Sequence, residues 1–182
     1  MRLTPLTLVT ALGLFLAGCA TPSTAVSPLT RLLDGIEQRL DIAEAVALHK
    51  WDTHQSVQAP QREREVLTRV RQSAADYGLD AARAEAFFAD QIEANKLLQY
   101  HFLNDWHRQR QAPDTPRRDL TTQIRPQLDQ LQNLLLLDLA QFDRKRSPQC
   151  SQQLADALAQ RAPDAKRHLA LVRATTQLCA GL

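Results

Sequence analysis

The sequence predicts a single all-helical domain, and three observations carry that reading. Apolar residues recur at spacings of three and four through most of the chain beyond residue 28. Leu, Ala and Gln are abundant, only five glycines are present, and no segment alternates apolar and polar residues as a half-buried strand does. Ser-Pro, Pro-Asp and glycine junctions then divide the chain into segments of helix length. At 182 residues there is enough chain for one substantial core, and too little to favour two independent ones. Lys and Arg total 22 against 20 for Asp and Glu, a formal net charge of +2, which gives no reason to expect nucleic acid as a partner. Any preference for anions must come from a local cluster.

The first element is an export signal over residues 1–19. Arg2 supplies a positive start, Leu6 to Leu16 an apolar run too short to span a bilayer stably, and Leu16-Ala17-Gly18-Cys19 resembles a bacterial lipobox. Lipidation of Cys19 would tether the domain to a membrane leaflet through the linker 20–27, whereas ordinary cleavage after Ala20 would release it. Either way the domain, residues 28–182, is expected in the periplasm, with the outer membrane as the site of a lipid anchor. Export implies an oxidising compartment, where Cys150 and Cys179 are expected to form a structural disulfide clipping the two C-terminal helices; two buried free thiols are the alternative.

The first helix is expected from about Leu29 to Gln55, after a Ser27 cap and Pro28 in its opening turn. The polar stretch 56–61 leads to a second from about Gln61 to Tyr77, closed by Gly78. Asp80 can cap a third that continues to about Arg108, followed by a loop rich in proline and charge from Gln109 to Asp119. The fourth runs from about Leu120 to Phe142, where Pro126 implies a kink or a late start. Its run Leu134 to Leu137 is apolar almost all round and reads as core or a subunit contact. Ser147-Pro148 and Pro163-Asp164 open two short helices, the last ending near Cys179.

Two of these helices carry groups that do not belong on an apolar face. In the first, Leu32, Ile36, Ala43, Val46 and Ala47 form a core stripe that also holds Arg39 and Lys50. At ~100° per residue the two cations lie only ~20° apart around the axis. In the third, Asn95 and Gln99 interrupt the face of Phe88, Ile92, Phe102 and Trp106. Taken singly, each has a structural explanation. Arg39 could pair with Asp41 or Glu44, Lys50 could reach solvent past Trp51, and Asn95 could bond Gln99 across one turn. Jointly, two inward cations and two inward amides suit an anionic ligand, because an unpaired buried charge is costly.

These residues sit in motifs that resemble a known family. Arg39-Leu40, His49-Lys50-Trp51, Arg62-Glu63 with Val66-Leu67, the run Phe87 to Tyr100, and Ile124-Arg125-Pro126 with Leu128-Asp129 together resemble the AroQ-type chorismate mutases, in particular their exported gamma subclass. The resemblance implies an AroQ-type helical bundle, no cofactor and no metal, and a cofactor-free rearrangement of chorismate to prephenate. It implies that Arg39, Arg62 and Arg125 contact the carboxylates, Lys50 and Gln99 the ether oxygen, Glu63 the ring hydroxyl and Asn95 one carboxylate. It also implies a homodimer. The sequence departs from the pattern at Ala59, where many relatives carry aspartate, and at Val66, where some exported members carry glutamine. Two other readings stay open at this point: isochorismate pyruvate lyase chemistry on a similar scaffold, and a non-catalytic, lipid-tethered helical binding module.

Overall fold

The computed structural model describes residues 26–161 and 164–180. The export signal with Cys19, residues 20–25 of the linker, and Pro163 lie outside the described residues. Those described form a helical bundle: α1 (Pro28–Asp41), α2 (Ala43–Thr53), α3 (Pro60–Ser73), α4 (Ala81–Gln109), α5 (Arg125–Arg144), α6 (Cys150–Ala159) and α7 (Ala165–Ala174).

Local chemistry accounts for the ends. Ser27 Oγ accepts from the Thr30 N–H at 3.0 Å, and Asp80 accepts from the Arg83 N–H at 2.9 Å, each supplying an orphan donor of a first turn. Asp164 caps α7 in the same way through the Lys166 and Arg167 N–H groups. After α3 a tight turn over Ala74–Tyr77 ends at Gly78, whose φ of +72° is open to glycine without strain. Pro126 marks a late start. A π turn over Leu120–Ile124, capped by Asp119, precedes α5, and the proline sits in the first turn, where its missing N–H costs nothing.

The single helix expected over 29–55 is instead α1 and α2, separated at Ile42. That residue stays right-handed at φ −76° and ψ −16°, so the chain continues with a local irregularity rather than a turn. The main core takes α1 and only Ala43 of α2, while Ala47 and Leu48 pack with Trp106. Leu32, Leu33, Ile36 and Leu40 belong to the main core, while Ile42 and Val46 join Ile124 and Leu131 in a second. The short helix expected at Ser147-Pro148 begins at Cys150, because Ser147 to Gln149 form a turn in which Ser147 Oγ accepts the Gln149 N–H.

Helix α4 is the frame. It packs along α7, α3 and α2, and α1 lies against α5. The α1–α5 contact is close enough that a Cβ at Gly35 would meet Leu135 Cδ2 at 3.0 Å. The leucine run on α5 is split: Leu135 and Leu136 are fully buried, whereas Leu134 and Leu137 face outward at 53% and 44% exposure.

The C-terminal segment is tied to α4 at several points. Arg83 donates to Asp143 and to the carbonyls of Gln177 and Leu178, Gln91 Nε2 donates to the Ala174 carbonyl at 2.7 Å, and buried Asp90 pairs with Arg173 while accepting the Gln177 N–H. The Cys150–Cys179 disulfide completes the attachment across a sequence separation of 29. Closing a loop of that length is expected to stabilise by about 3 kcal/mol. The double variant Cys150→Ala/Cys179→Ala should therefore lose roughly that amount in urea unfolding with its helical circular dichroism intact. A loss below about 0.5 kcal/mol would mean that the contacts from α4 hold this segment unaided.

Candidate active site

A cavity of about 620 Å³, its open mouth included, lies between α1, α2, α3, α4 and α5. Its wall contains Arg39, Lys50, Arg62, Glu63, Asn95 and Gln99, so six of the seven sequence-derived substrate residues converge on one space. The seventh does not. Arg125 lines an adjoining depression shared with Ala59 and Arg62. It is the first residue of α5, one turn before Asp129, and the π turn that delays this helix leaves it outside the cavity wall while Asp129 reaches it.

Arg39 and Lys50 are 7% and 8% exposed, which disposes of the solvent-reaching explanation for Lys50. Arg39 packs its guanidinium 5.9 Å from the centre of the Phe88 ring, and its Nε finds no hydrogen-bond partner among the described residues. Asp41, one of its conceivable partners, is engaged by Arg167. Burial lowers the Arg39 pKa to about 10; the charge of Asp129 opposes that shift and the charge of Arg62 adds to it. Lys50 donates to the Val57 carbonyl at 2.6 Å. Burial again dominates and lowers its pKa to about 8, with Glu63 opposing and Lys96 assisting.

Asn95 and Gln99 occupy one face of α4, one turn apart. Gln99 Nε2 donates to Asn95 Oδ1 at 2.7 Å, and Asn95 Nδ2 donates to the Arg39 carbonyl at 3.1 Å. The amide–amide bond expected from spacing alone is thus present, yet it leaves Gln99 Oε1 buried and unpartnered among the described residues. The chain of bonds holds Gln99 still, with the second N–H of its amide available to a ligand.

On α3, Arg62 leans on Asp129 at 3.3 Å, and Asp129 also accepts from Arg69 at 3.1 Å. Glu63 reaches back to the Ala59 N–H at 3.0 Å, supplying half of a capping box where Ala59 has no side chain to offer. Ala59 and Val66, the two departures from the family pattern, both line the cavity. Three polar wall residues have no role in the sequence reading, although Lys96 and Asp129 stand in its motifs: Lys96, Asp129 and Gln132. Lys96 stands beside Glu93 in a pattern typical of a solvated face, and Asp129 and Gln132 flank the fourth helix's apolar stripe, so only the packing of α3 and α5 reveals them.

A family model described as chorismate mutase type II matches residues 30–100. The crystal structure of a chorismate mutase from Burkholderia phymatum superposes with a TM-score of 0.80 at 40% sequence identity, covering 85% of this chain and 97% of that one. A chorismate mutase from Burkholderia thailandensis gives 0.78 at 36% identity, covering 85% and 100%. A secreted chorismate mutase of Mycolicibacterium smegmatis is 29% identical over 147 residues, 79% of this chain and 81% of the relative.

The cost of holding Lys50 charged in the cavity is measurable. Because its folded pKa lies below the ordinary 10.5, the charged form is disfavoured by folding at all pH values below about 8, and the penalty disappears as pH rises to 10.5. Lys50→Met should therefore raise the unfolding free energy at neutral pH by about 1 kcal/mol, with some water contact keeping the gain below the full shift. The gain should vanish above pH 10.5. A variant less stable than its parent at pH 7 in urea titrations would contradict this assignment.

Proposed function

The chain belongs to the AroQ-type chorismate mutases, and from that premise we propose that it converts chorismate to prephenate without a cofactor, in the periplasm, using the cavity walled by Arg39, Lys50 and Gln99. The observation that carries the site assignment is the convergence of Arg39, Lys50 and Arg62 on one cavity in which two of the three cations are buried, Arg39 Nε having no partner and Lys50 a single carbonyl among the described residues.

The reaction is an intramolecular rearrangement in which a C–O bond breaks ahead of C–C bond formation, so negative charge gathers on the ether oxygen. Fixed donors placed there stabilise the transition state more than the ground state. In this reading Lys50 keeps the Val57 carbonyl with one N–H and donates another to the ether oxygen, and Gln99 adds its free N–H. Arg39 and Arg62 take the substrate carboxylates, with Asn95 supporting one of them, and Glu63 accepts from the ring hydroxyl. Guanidinium forks at both carboxylates favour the folded conformer in which the reacting carbons approach. Arg125 meets the outer carboxylate from the mouth, since its depression adjoins the cavity through Arg62 and Ala59. Asp129 holds Arg62 in the empty site and gives it up when a substrate carboxylate arrives.

Secreted relatives support export of this chain. We place the domain in the periplasm, with Cys19 as its lipid anchor, and assign a homodimer whose protomers each carry a complete site.

The direct test is loss of chorismate absorbance with the purified protein, the product being identified as prephenate by acid conversion to phenylpyruvate. Pyruvate release from isochorismate, with chorismate untouched, would replace the mutase with a lyase. Lys50→Ala should lose about a hundredfold or more in kcat, the usual scale for removing a donor aimed at developing charge. Since Gln99 is neutral, kcat/KM should be nearly flat from about pH 5 upward and fall only above pH 8, as Lys50 loses its proton. A steep rise towards acid would remove Gln99 as the ether donor.

A further inference from the structure

Lys96 makes no part of the site just described, yet it is 7% exposed on the cavity wall and holds three partners from two helices and a loop. Its Nζ donates to Glu63 Oε2 at 3.1 Å, to Gln58 Oε1 at 3.0 Å and to Glu93 Oε1 at 2.6 Å. Gln58 in turn donates to the Tyr100 hydroxyl at 3.0 Å. Glu63 is therefore gripped on both oxygens, by the Ala59 N–H on one and the Lys96 ammonium on the other. With alanine at 59, no second carboxylate stands at that point of the wall to share recognition of a hydroxyl.

We propose that Lys96 is a positioning residue for the reaction: it fixes the Glu63 carboxylate for the substrate hydroxyl, locks the 56–59 loop whose Val57 carbonyl holds Lys50, and sets the charge balance around Lys50. The inference rests on the mutase reading of the cavity. One bridging cation does all three because Gln58 and Ala59 lead directly into α3, whose first turn carries Glu63, and α4 presents Lys96 to them one residue after Asn95. Burial opposes the charge on Lys96, but hydrogen bonds to Glu93 and Glu63 outweigh it and hold its pKa above the ordinary lysine value. It stays a cation throughout the working range of the enzyme.

The charges around Lys50 make this role separable from simple packing. Glu63 on α3 favours its proton and Lys96 on α4 opposes it. Arg39 on α1 and Arg62 on α3 share the cavity, while His54 after α2 and His107 on α4 border a separate depression that Lys50 and Trp51 also line. Removing either member of the Glu63–Lys96 pair therefore shifts the Lys50 titration in opposite directions.

The experiment is a pH profile of kcat and KM for chorismate in the full-length protein and in Lys96→Met, Lys96→Arg and Glu63→Gln. Lys96→Met should raise KM about tenfold, the scale of a charged hydrogen bond made less well, with a smaller change in kcat. Its alkaline limb in kcat/KM should move up by roughly half a pH unit, and that of Glu63→Gln should move down. Lys96→Arg, which keeps the charge, should leave the limb in place. A Lys96→Met enzyme with parental KM, or with an alkaline limb that stays put while Glu63→Gln moves it, overturns the proposal. If Lys96→Met does not fold, Lys96→Gln answers the same question. A parent enzyme that does not turn over chorismate refutes the mutase reading, and this inference falls with it.

Discussion

The constraint around which the site is built is the burial of two cations, Arg39 and Lys50, inside a helical bundle. Neither can be hydrated by bulk water at 7% and 8% exposure, and the residues beside them compensate only in part. Asp129 supports Arg39 from across the cavity, and Glu63 supports Lys50, but Arg62 and Lys96 act against them. A protein organised only for stability would replace both cations with apolar side chains of similar size. That they stand here is intelligible if the missing charge is brought by a dianionic substrate. Binding then recovers the desolvation cost that folding left outstanding.

The rest of the fold supplies the rigidity this arrangement needs. Helix α4 carries the core residues Phe87, Phe88, Ala94 and Leu98 and, interleaved with them, Asn95, Lys96 and Gln99. The packing that sets the register of α4 therefore also aims its polar groups at the cavity. Asp90 and Gln91 on the same helix, with Arg83 near its start, bind the C-terminal segment, so α4 is anchored on one side while it presents the site on the other. Donors held in this way need no rearrangement when charge develops on the substrate.

Much of this was legible in the sequence, for identifiable reasons. Helical periodicity located α3, α4 and α5, and Ser27, Gly78, Asp80 and Asp164 stand where helix ends require them. Arg39, Lys50, Asn95 and Gln99 were visible because each violates an otherwise apolar stripe. What was not legible depends on tertiary packing. The irregularity at Ile42 turns most of α2 away from the main core that α1 fills and towards two smaller apolar clusters, a fact absent from the period of either. Lys96 has the sequence neighbourhood of a surface lysine, and only the approach of Glu63 and Gln58 encloses it. Arg125 follows the family motif, yet the π turn ahead of α5 places it at an adjoining depression, while Asp129, one turn later, takes the wall position. The split of Leu134–Leu137 into two buried and two exposed residues is likewise decided by what α1 covers.

The most direct test of the central claim is to follow the titration of the Lys50 ammonium by NMR, through the shifts of its Cε carbon and protons, in the free protein and with a non-reacting dianionic dicarboxylate bound. The account predicts a pKa near 8 in the empty cavity, moving up towards the ordinary 10.5 or beyond when the dianion supplies the missing charge. A Lys50 that titrates at its ordinary value in both states would show that this cation is not held in deficit for an anionic ligand, and would contradict the account.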